Sequence, residues 1–367
     1  MRVSMLRYPL FAGVMLMLLA AGWAALQRAG WSLPEIRPAL VGMHGPLMIG
    51  GVFGALISLE RAVAIAALMR SPRHWAFLAP IFSAAGGGVL LLVGAEPAAK
   101  LLLLAGSACL GAVYLRTITV RRYWSLYTVM MGLGAVLWLV GNLAWAAGQP
   151  IYVAIHPWLG FIILTIVGER IELSRVLRHT RRTEQLLMAA AAVYIGGVLL
   201  ALIDLGLGVR LSGLGALLLA LWLIRFDLAR RNARQTGLAR YIALCLLIGY
   251  VWLGVAGILA IAFGAVYAGL QYDALLHAVA AGFVLSMVFG HAPLIFPALT
   301  GRHIAYSSLF YLPLILLHAA VLLRAISDLA GAFDGRMWAS LLNAAAVVIF
   351  FGVVAAGALR STRGEPG

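Results

Sequence analysis

Twelve apolar stretches, each about twenty residues long, take up most of this chain. A run of that length crosses a bilayer as an α-helix, and a helix satisfies its own backbone groups in lipid. The stretches fall near 8–27, 39–65, 75–95, 98–118, 123–147, 151–174, 185–204, 207–226, 238–264, 273–299, 304–324 and 336–359. The connections between them rarely exceed about fifteen residues, so no separate soluble domain is expected. Of the 367 residues 64% are hydrophobic and 11% charged, against about 25% charged in soluble domains. The expected fold is therefore an all-α polytopic transmembrane bundle of about 12 helices, occupying 1–367 as one domain with the lipid bilayer as its solvent.

The formal charge of +15 does not point to nucleic acid, because the basic residues gather at alternate helix ends rather than on one face. With the N-terminus cytoplasmic, that side receives Arg2, Arg7, Arg70, Arg73, Arg116, Arg121, Arg122, Arg175, Arg178, Arg181, Arg182, Arg225, Arg230, Arg231, Arg234, Arg240, Arg302, Arg360 and Arg363. The outer side receives Arg28, Arg37, Lys100, Arg210, Arg324 and Arg336. Nineteen against six places both termini inside. Arg2 and Arg7 before Leu10–Ala25 imitate a signal peptide, but Leu26-Gln27-Arg28 offers no cleavage site, so the first stretch reads as a retained helix. The two cysteines, Cys109 and Cys245, sit in apolar runs and suggest neither a disulfide framework nor a thiolate metal site.

Five of the eight histidines lie inside spans. His44 is in the second, His156 in the sixth, His277 and His291 in the tenth, and His318 in the eleventh. Spans two, six and ten run in the same direction, and His44, His156 and His277 each fall about five residues into their span, at one outer depth. Phe161 through Gly168 and Phe283 through Gly290 match at a constant offset of 122, and Phe53 through Glu60-Arg61 repeats the theme one residue shorter. The chain thus reads as three pseudo-repeats of four helices, about 8–120, 123–231 and 237–360. Each lead helix carries an outer histidine and a deeper ionisable residue: Glu60, Glu169 and His291.

Ionisable groups within a span are costly and mark functional sites. Glu60-Arg61 and Glu169-Arg170 suggest either a proton path or cross-pairing between repeats, Glu60 with Arg170 or Arg61 with Glu169. Neutral imidazole binds haem iron, copper or zinc, and a membrane interior suits the apolar macrocycle. His277 and His291, fourteen residues apart, are separated by about 21 Å of rise and about 40° of rotation in a regular α-helix, so they share a face at two depths. His44 is the first candidate for a second ligand beside His277, and His156 the next. His318, outside the repeat, reads equally well as a core histidine. The run Gly86-Gly87-Gly88 within an apolar span reads as close helix packing.

The stretch His277-Ala278 … Gly282-Phe283 … Ser286-Met287 … Gly290 with Thr300-Gly301-Arg302 resembles the C-terminal part of NnrS-type proteins, and His44 … Met48 … Gly51 … Gly54 … Glu60-Arg61 is a looser match. The resemblance implies twelve spans, haem b, possible copper, and a role in nitric oxide or redox stress at the bacterial inner membrane. It also implies nitric oxide or another small gas, and a redox partner or quinol, as partners. The chain departs from the family's His-x-His-Glu-Met pattern with Met43-His44-Gly45-Pro46, which weakens a copper site there. A more distant likeness is to the catalytic subunit of haem–copper oxidases. The seventh span, however, lacks the required histidine pair, so any enzyme here would be a membrane redox enzyme and not an oxygen reductase of that type. The alternative is a transporter or metal-trafficking protein using the same histidines.

Overall fold

A computed structural model describes residues 3–35, 37–68, 74–119, 124–174, 177, 179–301 and 303–362. Arg2, Arg70, Arg73, Arg121, Arg122, Arg175, Arg178, Arg302 and Arg363 of the charge count lie outside these residues, as do the repeat limits at 120 and 123. The described chain is an all-α polytopic bundle with twelve helices long and apolar enough to cross a membrane. We number them α1 Arg7–Arg28, α2 Ala39–Ala67, α3 Trp75–Leu92, α4 Pro97–Thr119, α5 Leu126–Ala146, α6 Ile151–Leu173, α7 Arg181–Leu200, α8 Leu205–Phe226, α9 Gly237–Phe263, α10 Leu270–Pro297, α11 Ser308–Ala330 and α12 Phe333–Arg360. The largest departure from the hydropathy reading is at α11, which runs to Ala330 rather than 324.

Polar residues just outside the apolar windows start several helices. Ser125 Oγ, Thr180 Oγ1 and Asp204 Oδ1 accept from the amides of Thr128 (3.3 Å), Thr183 (3.3 Å) and Leu207 (2.9 Å) at the heads of α5, α7 and α8. Each satisfies an amide that a helix start leaves without a partner. At the other end of α11, Gly331 adopts φ +72° and returns its amide to the Ser327 carbonyl, a conformation that favours glycine.

The chain forms two compact units, Met1–Glu169 and Arg170–Gly367, with the boundary inside α6. In the first, α1, α2 and α3 converge where Gly51 meets Gly87: a Cβ on Gly51 would lie 3.1 Å from the Gly87 Cα and 3.0 Å from Met17 Sδ. The glycine run of α3 therefore does pack helices closely, through Gly87 and, against Leu103, Gly86. A buried polar tie joins α4, α5 and α6. Asn142 donates to the Leu103 carbonyl (3.1 Å) and Ser107 Oγ (3.1 Å), and Trp158 Nε1 donates to Asn142 Oδ1 (2.9 Å).

In the second unit α7 and α8 touch backbone to backbone. Gly197 lies against the main chain of Ser212, Gly208 against that of Ala201, and Gly215 against that of Tyr194. Small residues bring helices this close in lipid, where packing supplies the attraction that burial supplies in water. An aromatic core joins α10 and α12, with Phe289 and Phe350 stacked at 4.0 Å.

Two lead helices share a backbone irregularity. Leu47–Gly54 in α2 and Ala278–Leu285 in α10 are π-helical, and each begins within three residues of a histidine, His44 or His277. Each is met by an indole: a Cβ on Gly54 would collide with Trp138 of α5, and one on Gly282 with Trp252 of α9. Such wide turns occur often at functional sites.

Candidate functional site

The intramembrane histidines fall into three kinds by what their ring nitrogens do. His44 Nδ1 lies 2.9 Å from the Ala21 carbonyl of α1, His277 Nδ1 2.9 Å from the Asp273 carbonyl, and His291 Nδ1 2.9 Å from the Met287 carbonyl. A carbonyl only accepts, so in the neutral ring Nδ1 carries the proton and Nε2 carries the lone pair. That tautomer is the one a metal-ligating Nε2 requires, and an anchoring carbonyl also fixes the ring plane.

His156, in α6 directly before Pro157, is 7% exposed and hydrogen-bonds to none of the described residues. His318 is the opposite case. Trp252 Nε1 donates to its Nδ1 (3.1 Å), and its Nε2 lies 3.1 Å from Ser286 Oγ, which itself donates to the Cys245 carbonyl (2.7 Å). With the serine proton committed, His318 must donate from Nε2. Both nitrogens are used within the protein, and His318 is a core histidine tying α9, α10 and α11 together. His318→Phe is expected to cost about 1–3 kcal/mol by stranding the buried Trp252 indole donor. Thermal unfolding in detergent checks the loss.

A charge cluster that hydropathy does not reveal surrounds His277. Its Nδ1 is 3.4 Å from Asp273 Oδ1, one turn earlier. Asp273 Oδ2 is held by Arg324 through Nε (2.8 Å) and Nη2 (2.7 Å), and Arg324 Nη1 donates to Ser340 Oγ (2.7 Å). Arg336 Nε lies 3.5 Å from Asp273 Oδ2 and 3.5 Å from Oδ1 of the fully buried Asp328. Arg324 and Arg336, which the charge pattern counts on the outer side at the ends of their spans, therefore belong to a buried network that joins α10, α11 and α12. A usable signal is present in the sequence: Asp273 and His277 stand one turn apart, as do Arg324 and Asp328.

At the deeper level Arg61 Nη2 is 3.3 Å from Glu169 Oε1, as the cross-pairing between repeats requires. Glu60 is half-buried beside it on α2. The carboxylate of Arg170 is a different one. Arg170 grips Asp227 with Nε to Oδ2 and Nη2 to Oδ1, both at 3.1 Å. Asp227 also accepts from Ser174 Oγ (3.2 Å) and from the Ala229 amide (2.7 Å). Asp227 lies directly after α8, beyond the apolar stretch that ends at 226, so hydropathy alone leaves it unnoticed.

The shared face of His277 and His291 does not survive. The π-helical Ala278–Leu285 lies between them and adds about one residue to the winding, which turns the later part of α10 by about 100°. The offset of about 40° becomes about 140°, while the separation in depth remains. Among the described residues no three His, Cys, Asp or Glu side chains converge as a metal-ion site.

No curated protein matches the chain. A family model does match, over residues 7–359, and that stretch takes in eleven spans and all but the last residue of the twelfth, with His44, His156, His277, His291 and the ion pairs described above. The chain belongs to that family, a domain of unknown function, DUF8744.

Proposed function

We propose that this chain is a haem b-binding integral membrane protein of the NnrS type, acting in nitric oxide or redox stress at the bacterial inner membrane with both termini cytoplasmic. The observation that carries the reading is the anchoring of His44, His277 and His291 through Nδ1 to main-chain carbonyls. In the neutral ring this leaves Nε2 as the lone-pair nitrogen of all three, the atom that ligates iron, on helices apolar enough to cross a membrane. His44 and His277 are the first candidates for axial ligation, with His156 and His291 as further ones. Haem needs only one or two protein ligands, whereas a bare copper ion needs a converging set, so copper takes second place.

Bound haem would supply an iron that takes a small gas such as nitric oxide or exchanges electrons with a quinol or other redox partner. The chain's own residues hold and tune the ligand. The Asp273 carbonyl fixes the His277 tautomer, and the nearby Asp273 carboxylate makes the imidazole a stronger donor.

Protein purified after haem-replete expression is expected to show a Soret band and one or two haems by pyridine haemochrome assay. His44→Ala or His277→Ala should lower haem content at least severalfold with the fold retained by circular dichroism. A colourless preparation would sink the reading, and stoichiometric copper in such a preparation would put metal trafficking in its place.

A further inference from the structure

At the ends of α7 and α8 a cavity of about 540 Å³ opens among basic side chains, and none of the four candidate haem-ligand histidines lines it. Arg225, Arg230, Arg231 and Arg234 line it, together with His179 and Asp227. The tendency of arginine to mark one side of a membrane accounts for their number. It does not account for their convergence on one cavity, where like charges repel unless an anion joins them.

The lining is not neutralised from within. Asp227 is the one carboxylate among the described lining residues, and its charge is already matched by Arg170, with Ser174 and the Ala229 amide filling its remaining acceptor positions. Among the described residues Arg230 Nη1 reaches the Arg225 carbonyl (3.4 Å) and no acidic group, and the Arg225 guanidinium lies over the Phe226 ring at 5.2 Å. Arg231 and Arg234 contact no acidic group among the described residues. His179 stands against Trp222, and its buried Nε2 has no hydrogen-bond partner among the described residues. The cavity therefore offers four guanidinium forks and a buried imidazole nitrogen, with no uncompensated negative charge.

We propose that this cavity binds a phosphate group, carried either by an anionic lipid headgroup or by a soluble phosphate compound. Planar guanidinium forks match phosphate oxygens two at a time, and His179 adds a further hydrogen bond. The position at the ends of the spans is the depth at which lipid phosphates lie. The volume admits a headgroup or a pyrophosphate-sized anion.

The test uses the full chain in mild detergent, titrated calorimetrically with dioctanoyl-phosphatidylglycerol, inorganic pyrophosphate and, as a zwitterionic control, dioctanoyl-phosphatidylcholine. Two triple variants lose the same charge: R230Q/R231Q/R234Q in the cavity, and R116Q/R240Q/R360Q at exposed positions outside its lining. The cavity variant is expected to bind at least about tenfold more weakly than the native chain, as loss of two or more charge-assisted bonds requires, while the outside variant binds normally. Binding of phosphatidylglycerol alone assigns the site to lipid. Pyrophosphate that binds and displaces the lipid probe assigns it to soluble phosphates. Equal weakening in both variants, or no probe binding better than phosphatidylcholine, overturns the proposal.

Discussion

Asp227→Ala is expected to destabilise the protein by about 3–5 kcal/mol, the cost of leaving one member of a buried ion pair uncompensated. Arg170 is 5% exposed and Asp227 4%. Removing the carboxylate strands the guanidinium, the Ser174 hydroxyl and the Ala229 amide in one step. Asp227→Asn keeps the shape but turns an amide NH2 toward the arginine, so it recovers little. The double change Arg170→Met/Asp227→Leu removes both charges together and is expected to return to within about 2 kcal/mol of the native chain. Thermal unfolding in detergent measures the series. A single alanine variant within about 1 kcal/mol of native, or a double variant no better than the single, would show that the pair is not what secures the end of α6 to the end of α8.

Gly197→Leu and Gly196→Leu, one residue apart on α7, are expected to differ by about 3 kcal/mol or more. Gly197 lies against the Ser212 backbone, and a main chain cannot rotate aside as a side chain can. Any Cβ there pushes α7 from α8 and opens the contacts at Gly208 and Gly215 along the same seam. Gly196 has nothing within 4 Å of its Cβ direction, and replacing it gains helix propensity, worth up to about 1 kcal/mol. Comparing melting temperatures of the two purified variants decides the matter. Similar losses in both would mean that the contact seam does not hold the pair together.

Much of this architecture is legible in local sequence because a span is a one-dimensional signal: a long apolar run needs no partner to be recognised. The pairing of Arg61 with Glu169 is one of the two cross-pairings that the adjacent Glu-Arg pairs suggest, while Arg170 takes its carboxylate from Asp227, which no local pattern offers. The network around Asp273 is hidden because hydropathy ends the eleventh span at 324 and begins the twelfth at 336. The helices instead run to Ala330 and start at Phe333, so the added turns include Asp328 and set Arg324 within α11 rather than at its end. The π-helical turns are hidden because a period of 3.6 fits an apolar run as well as any other. The three glycines among residues 50–54 of α2 are the available hint, but α10 offers only Gly282 in the same role.

The string Trp252–His318–Ser286–Cys245 has a direction. An indole N–H gives a hydrogen and takes none, and a carbonyl takes and gives none. Every proton in between therefore points one way, from α9 through α11 and α10 back to the α9 backbone. Proton conduction along such a row requires each link to reverse after the charge has passed, and neither end of this row can reverse. His318, though ionisable and set in the middle of a span, is a closed circuit: protons that move through this protein must take another route.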